Sequence, residues 1–136
     1  MKTVILDTSV VIKWFKSKGE DKIKDAKQYL LDYSNKRIDI YISPITVFEF
    51  LNISINDAYL PPQRWQENIQ KLINLSLKTI NFDVNLLKTT YLLGKRYQIS
   101  AYDASYIALA QSLKADFITA DKKLVKKVKL PYVKAL

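Results

Sequence analysis

Short apolar runs alternate with helical segments along this chain, and this alternation restricts its fold more than any other feature. Runs typical of β-strands cover residues 3–6, 38–42, 77–82 and 117–119, with a weaker fifth at 132–133. Strands that are separated by helices pair in parallel, because each helix carries the chain back to the start of the sheet. The sequence therefore predicts an α/β fold with a central parallel sheet of four to five strands and helices on both faces.

The segments between these runs carry the signals of helices. Asp7-Thr8-Ser9 supplies capping residues after the first run, and Ser43-Pro44 supplies a cap and a helix-starting proline after the second. Periodic apolar residues predict helices over about 10–15, 23–33, 44–58, 64–75, 84–94, 101–113 and 121–127. Helices and strands thus account for most of the chain, and no long linker divides it.

Two of the predicted helices have a defined face. Val84, Leu87 and Tyr91 recur at helical spacing and mark one side of the fifth helix. Ala101, Ala104 and Ala108 form a stripe of small residues on the sixth helix, which would let that helix lie close to the sheet.

Length and composition indicate one globular domain covering residues 1–136. The chain has a mass of 15.8 kDa, and 49% of its residues are hydrophobic. No run approaches the roughly 20 apolar residues that a membrane-spanning helix needs, and Asp7 follows the N-terminus too closely for a signal peptide. We expect a cytoplasmic protein with no membrane contact.

The chain contains no cysteine and no histidine. Disulfides, zinc–thiolate sites, iron–sulfur clusters and cysteine nucleophiles are therefore excluded. Serine–histidine and HExxH mechanisms are excluded as well, because both need an imidazole. Any chemistry must come from carboxylates, hydroxyls, amines and water.

Four carboxylates stand among apolar neighbours in four separate phrases. They are Asp7 in Ile5-Leu6-Asp7, Glu49 in Val47-Phe48-Glu49-Phe50, Asp103 in Ala101-Tyr102-Asp103-Ala104 and Asp121 in Thr119-Ala120-Asp121. Asp7 and Asp121 follow predicted strands, and Glu49 and Asp103 lie near the starts of helices that should begin at the same edge of the sheet. Ligands bind at that edge in parallel α/β sheets. With oxygen ligands alone, the group predicts a site for Mg²⁺ or Mn²⁺.

The charge balance suggests what such a site would act on. Twenty-two Lys and Arg against thirteen Asp and Glu give a net charge of +9, which favours a polyanionic partner. A divalent cation on a basic protein points to phosphodiester hydrolysis, in which the metal activates water and binds the phosphate. Two sets of lysines flank the acids in sequence: Lys122, Lys123, Lys126 and Lys127 beside Asp121, and Lys13, Lys16 and Lys18 after Asp7. A solvated lysine surface, or an adaptation to high temperature, is the alternative explanation.

With these motifs in order along nearly its whole length, the chain resembles the PIN-domain nucleases, and most closely the small VapC-type toxins of toxin–antitoxin pairs. The resemblance rests on Leu6-Asp7-Thr8-Ser9, on Glu49 after Ser43-Pro44, on the segment from Ala101-Tyr102-Asp103 to Ala110 and on Ile118-Thr119-Ala120-Asp121. It implies a metal-dependent endoribonuclease that is neutralised by a cognate antitoxin and forms a homodimer. It also implies that Asp7, Glu49, Asp103 and Asp121 are the catalytic and metal-binding acids. Ser9 and Thr119 would be hydroxyls that orient the carboxylates or metal-bound water.

Structural roles remain open for each of these residues. Asp7, Asp103 and Asp121 could serve as helix caps or first-turn acids, and Ser9 and Thr119 could be caps. Asp116 lies at the opposite end of its predicted strand, so we expect a structural role there. Trp14, Trp65, Tyr102 and Tyr106 could stack on bases or lie in the core. Two other functions remain open: a PIN-like module that binds RNA or protein without cleavage, and a phosphoryl-accepting receiver domain.

Overall fold

Five strands form one sheet in the order β3-β2-β1-β4-β5 in the computed structural model, which describes residues 1–136. The strands are β1 (Lys2–Leu6), β2 (Ile38–Ile42), β3 (Lys78–Thr79), β4 (Asp116–Thr119) and β5 (Val133–Ala135). All four pairings are parallel. The predicted α/β fold with a parallel sheet is confirmed.

Seven α-helices connect and flank the strands. They are α1 (Thr8–Val11), which a 3₁₀ turn extends over Ile12–Trp14, then α2 (Ile23–Ser34), α3 (Pro44–Asn56), α4 (Pro62–Asn74), α5 (Val84–Tyr97), α6 (Ala101–Leu113) and α7 (Lys122–Val128). Several starts follow from local chemistry. Asp83 and Ser100 accept hydrogen bonds from the backbone N–H groups of Leu86 and Asp103, and so cap α5 and α6. Pro44 stands at the first position of α3, where its missing N–H has no cost.

Alternate side chains of the strands enter two separate cores, one on each face of the sheet. Val4, Leu6 and Ile118 pack with residues of α1 to α4. Ile5 and Phe117 point to the other face and pack mainly with α6 and α7. Because side chains alternate along a strand, this division places helices on both faces, as predicted.

The strand order reverses direction at β1, and this reversal locates the ligand-binding edge. From β1 the chain first builds outward to β2 and β3, and later returns to add β4 and β5 on the other side. Such a switch point opens a crevice beyond the carboxyl ends of the two central strands. In this chain the crevice lies beyond Leu6 of β1 and its neighbour Ile118 on β4.

One prediction about local structure is wrong in detail, and the packed side of α5 is a further finding. The strand expected over 77–82 is regular only at Lys78–Thr79, because β3 is an edge strand that pairs with two residues of β2. The α5 face marked by Val84, Leu87 and Tyr91 is exposed, and the helix instead buries Thr90 and Leu93. Apolar residues occur on both sides of α5, so periodicity alone did not identify the side that packs against α6.

No helix combines the length and the apolar character that crossing a bilayer requires.

Candidate metal centre

The four predicted acids all come from elements that meet at the carboxyl edge of the sheet. Asp7 follows the last residue of β1 directly, and Asp121 lies two residues after the end of β4. Glu49 stands in the second turn of α3, which begins just after β2, and Asp103 stands in the first turn of α6. The fold therefore brings to one region residues that the sequence separates by up to 114 positions.

Two hydroxyls hold the Asp7 carboxylate in place. Ser9 Oγ and Thr119 Oγ1 each donate a hydrogen bond of 2.8 Å to Asp7 Oδ2. The same two oxygens accept backbone N–H groups of the loop after β4, Ser9 from Ala120 and Thr119 from Asp121, each at 3.1 Å. The Asp7 side chain makes no helix-cap hydrogen bond. Ser9 and Thr119 thus connect Asp7 to the backbone that carries Asp121.

Two other hydroxyls, one of a threonine and one of a tyrosine, hold the Glu49 carboxylate in place. Thr8 Oγ1 donates to Glu49 Oε1 over 3.0 Å, and Tyr106 donates to the same oxygen over 2.5 Å. Burial and this bond to Glu49 raise the pKa of the Tyr106 phenol well above its usual value, so the phenol keeps its proton and remains a donor. The sequence interpretation did not assign Thr8 or Tyr106 to the site. The position of Thr8 beside Asp7 was the one available signal.

Asp103 and Asp121 are held less tightly. Asp103 is half-buried, and a hydrogen bond from the Ser100 side chain favours the ionised form of its carboxylate. Asp121 is exposed, and its Oδ1 accepts the backbone N–H of Leu124 at 3.1 Å, so that it caps α7. The interpretation of Asp121 as a helix cap therefore holds for Oδ1, whereas Oδ2 makes no hydrogen bond.

The four carboxylates influence one another electrostatically. Burial raises the pKa of Asp103, and the charges of Asp7, Asp121 and Glu49 raise it further. Burial also raises the pKa of Asp7, with an added contribution from Glu49, while the hydroxyls of Thr119 and Ser9 and the backbone of Thr8 act in the opposite direction. The negative charges of the four acids therefore repel one another.

No lysine or arginine forms an ion pair with any of these four acids, although the protein is strongly basic. Ion pairs within 4.0 Å involve seven other carboxylates: Glu20, Asp21, Asp32, Asp39, Asp57, Glu67 and Asp116. Six carboxylates have no such partner, and four of those six are the predicted site acids. Carboxylate oxygens that lack a cationic partner are the donor set that Mg²⁺ and Mn²⁺ prefer, so these residues fit a hard divalent cation.

The side chains are not, however, gathered into a finished coordination shell. No group of three or more acidic side chains is arranged so that it could already hold a metal ion. The fold brings the four acids to one edge of the sheet, where their charges repel one another. Their oxygens do not, however, surround a common point. Their roles as metal ligands and catalytic residues therefore stay predictions.

The two sets of flanking lysines differ in the structure. Lys13 is buried and pairs with Glu20 and Asp21, and Lys16 pairs with Asp57. These two lysines are structural, so the predicted basic flank after Asp7 is wrong for them. On α7 the lysines are exposed and form no ion pair, and Lys127 donates to the carbonyl of Gln98. Free positive charge therefore lies on the Asp121 side of the edge.

The remaining candidates from the sequence divide between core and surface. Trp65 and Tyr106 are buried, Trp14 is half-buried and donates to the carbonyl of Ala26, and Tyr102 is exposed. Asp116 pairs with Lys2 and Lys134 at the amino end of β4, in agreement with its expected structural role. Of the four aromatic residues, only Tyr102 offers most of its ring to solvent.

An open groove of about 540 Å³ adjoins the acidic edge through Glu49. Its rim includes Phe48 and Tyr102, whose side chains are 71% and 61% exposed, together with Ile45, Asn52 and Ile53. The sequence interpretation used Phe48 only as an apolar neighbour of Glu49. The periodicity of α3 did not reveal that Phe48 faces solvent while Phe50 is fully buried.

A family model for the PIN domain matches residues 4–130. Several solved structures share the fold. A toxin–antitoxin complex from Klebsiella pneumoniae aligns with a TM-score of 0.70 at 21% identity, over 98% of this chain and 95% of that one. DNA-bound VapBC from Salmonella typhimurium gives a TM-score of 0.71 at 19% identity, over 100% and 98%.

A third similar structure is VapC20 from Mycobacterium tuberculosis, described as a toxin that cleaves the sarcin–ricin loop. It aligns with a TM-score of 0.69 at 12% identity, over 96% of this chain and 98% of that one. Among curated protein sequences, none matches significantly. At these identities the likeness to solved structures concerns the fold.

Proposed function

This chain belongs to the PIN domain family, and on that premise we propose that it is a metal-dependent endoribonuclease, the toxin of a type II toxin–antitoxin pair. One observation supports the proposal: four carboxylates without ion-pair partners come from elements that meet at the switch point of the sheet, in a chain of net charge +9. Family membership removes the receiver-domain alternative.

Asp7, Glu49, Asp103 and Asp121 would hold Mg²⁺ or Mn²⁺ through their oxygens. When bound, the divalent cation lowers the pKa of a water molecule and neutralises charge on the scissile phosphate. Ser9 and Thr119 keep Asp7 oriented, since both donate to its Oδ2. Asp103 is suited to accept a proton, because burial and its three charged neighbours raise its pKa.

RNA would approach from the side of α7. Lys122, Lys123 and Lys126 are exposed there and have no carboxylate partner, so their charge is available to backbone phosphates. Because the chain has no general base other than carboxylates and amines, phosphodiester hydrolysis assisted by a cation suits its residues better than metal-free cleavage.

The proposed partners are a cognate antitoxin and a second copy of this chain, in the cytoplasm. Similar folds come from toxin–antitoxin complexes. The exposed apolar face of α5, formed by Val84, Leu87, Tyr91 and Leu92, is suited to a homodimer contact. Sedimentation of a Leu87→Glu variant checks this point: we expect a monomer where the wild type is a dimer, and a variant that remains dimeric would exclude this face.

A PIN-like module that binds RNA or protein without cleaving is the second candidate. The observation that favours it is the lack of a group of acids arranged to hold a metal ion. Such a module would bind RNA in a salt-sensitive manner and would leave it intact with every divalent metal.

Cleavage of defined RNAs by the purified chain separates the two candidates. We expect cleavage with Mg²⁺ or Mn²⁺ that stops with a chelator. Asp103→Asn should reduce the rate by about 100-fold or more, because a ligand should matter at least as much as its hydrogen-bonding partners. Asp25→Asn is the matched control, since Asp25 is exposed on α2 and has no ion pair. Full activity of Asp103→Asn, or cleavage that resists the chelator, would refute the nuclease.

A further inference from the structure

A cluster of buried hydroxyls lies directly behind Glu49. Thr8 from α1, Thr46 from α3 and Tyr106 from α6 are 3%, 0% and 1% exposed. Two of these hydroxyls meet the same carboxylate oxygen, as Tyr106 and Thr8 both donate to Glu49 Oε1. No hydrogen bond reaches the other oxygen, Oε2. Three helices that are distant in sequence thus converge on one side of one carboxylate.

Two hydrogen bonds of this cluster lead in sequence from the start of α3 to the Tyr106 hydroxyl. The backbone N–H of Ser43 donates to Thr46 Oγ1 over 3.3 Å, and Thr46 Oγ1 donates to the Tyr106 hydroxyl over 3.2 Å. A hydroxyl has one proton to donate. Tyr106 accepts from Thr46 and also lies 3.2 Å from Thr8 Oγ1, and its own proton is donated to Glu49. A chain of bonds with a common direction strengthens its last member.

The ring of Tyr106 is fixed independently of these bonds. It stacks on Phe117 of β4 with ring centroids 5.1 Å apart and planes inclined by 11°. Its donor oxygen is therefore positioned by the sheet, whereas a free Glu side chain has three rotatable bonds and would lose their freedom on binding a ligand. The cluster removes that freedom before a ligand arrives.

We propose that Tyr106 is a positioning residue, which holds Glu49 Oε1 through the Ser43–Thr46–Tyr106 chain of hydrogen bonds so that Oε2 remains free to bind the divalent cation. This inference rests on the proposed function. Tyr106 would act on the acidic site only through its hydrogen bond to Glu49. It also accounts for a glutamate at this position: the longer side chain reaches the buried donors with one oxygen and leaves the second at the edge.

Binding of Mn²⁺ to the purified chain tests this role without any catalytic readout. The signal of free Mn²⁺ in electron paramagnetic resonance gives the affinity of wild type and of Tyr106→Phe, which keeps the ring on Phe117 and removes the donor. We expect Mn²⁺ affinity to fall by about 10-fold, within the range for residues that orient metal ligands. In cleavage assays the half-saturating metal concentration should rise by a similar factor, while the rate at saturating metal stays within about twofold.

Two controls separate positioning from folding. Tyr59→Phe removes an exposed hydroxyl that makes no hydrogen bond and should not change the affinity. Thr8→Val removes the second donor to Glu49 and should also weaken Mn²⁺ binding, whereas Thr8→Ser keeps the donor and should bind as wild type. If Tyr106→Phe does not fold, the Thr8 pair decides the question.

Each outcome has one meaning. Wild-type Mn²⁺ affinity in Tyr106→Phe, or equal affinities of Thr8→Val and Thr8→Ser where Tyr106→Phe does not fold, overturns the positioning role and leaves the proposed nuclease intact. A wild-type chain that binds no Mn²⁺ overturns the nuclease and this inference together. Weaker binding in Tyr106→Phe, with Tyr59→Phe unchanged, supports the role.

Discussion

The hydroxyl of Thr119 donates a hydrogen bond of 2.8 Å to Asp7 Oδ2, across 112 positions of sequence. Thr119 ends β4 and Asp7 follows β1, so this bond joins the tips of the two central strands. The same oxygen accepts the backbone N–H of Asp121. One fully buried side chain therefore sets the spacing between two of the four acids.

Removing this hydroxyl should loosen the acidic edge while the core stays packed. Thr119→Val has nearly the same shape, and we expect it to lower metal affinity by about 10-fold to 100-fold. Thr119→Ser keeps the donor and should retain most of the affinity. Calorimetric titration with Mn²⁺ measures both. Indistinguishable affinities of the valine and serine variants would show that the hydroxyl has no part in metal binding.

Asp103→Asn should stabilise the metal-free protein. An acid whose pKa is higher in the folded state than in the unfolded state opposes folding once it is ionised, and Asp103 is such an acid because of burial and its three charged neighbours. At pH 8 with a chelator, the variant should therefore melt at a higher temperature than wild type. The difference should be complete above the raised pKa and should shrink as the pH falls from there toward the ordinary pKa of 3.8, below which Asp103 is neutral in both states.

Added Mn²⁺ completes this prediction. It should raise the melting temperature of the wild type by binding the folded state, and it should have little effect on Asp103→Asn. A variant that is less stable than wild type without metal would contradict the account of mutual repulsion.

Asp57 should make the folded state less stable in acid, because its pKa is lowered in the folded state, whereas the pKa of Asp103 is raised. The backbone N–H of Leu60, followed by Trp65 and Lys16, lowers the pKa of Asp57 to about 2, against the strong burial of this side chain. A lowered folded pKa means that the stabilisation is complete above the ordinary pKa of 3.8 and is lost as the pH falls toward 2.

We therefore expect Asp57→Asn to be less stable than wild type at pH 7, with the difference disappearing near pH 2. Urea unfolding across this range measures it. The free energy of unfolding of the control variant Asp25→Asn should depend on pH as that of the wild type does. A stability difference for Asp57→Asn that does not change with pH would show that packing, and not charge, is lost in the variant.

The lysines of α7 should dominate the salt dependence of RNA binding. Each contact with a single-strand phosphate contributes about 0.7 to the slope of log K against log salt. Lys122→Gln, Lys123→Gln and Lys126→Gln together should reduce this slope by about 2. The control replaces the exposed Lys24, Lys27 and Lys36, which changes the net charge equally. If both triple variants lose the same slope, binding depends on net charge and not on α7.

Local patterns predicted the architecture well because strands and caps are local. Asp83 and Ser100 cap helices where their residue types suggested, and parallel pairing followed from the alternation of elements. The same reasoning placed Asp7 and Asp121 at the ends of neighbouring strands. It failed for Lys13 and Lys16, whose pairing with acids depends on how the loop after α1 folds back.

The hydroxyl cluster behind Glu49 lay beyond sequence reasoning for a similar reason. Tyr106 and Thr46 are 60 positions apart, and a tyrosine on an apolar helix gives no indication that its hydroxyl meets a carboxylate. The exposure of Phe48 beside the buried Phe50 also depends on the angle at which α3 packs on the sheet. The residue types indicated which acids are candidates for the site. Tertiary packing determines which side chains form hydrogen bonds with them.

Anomalous diffraction from crystals of the wild-type chain grown with Mn²⁺ tests the central claim most directly. The account predicts a peak about 2.1 Å from carboxylate oxygens at the carboxyl edge, with Asp7 and Asp103 among the ligands and with side-chain rotation that closes the group of four. A fully occupied Mn²⁺ bound elsewhere, or no bound Mn²⁺ at millimolar concentration with all four acids ionised, would contradict it.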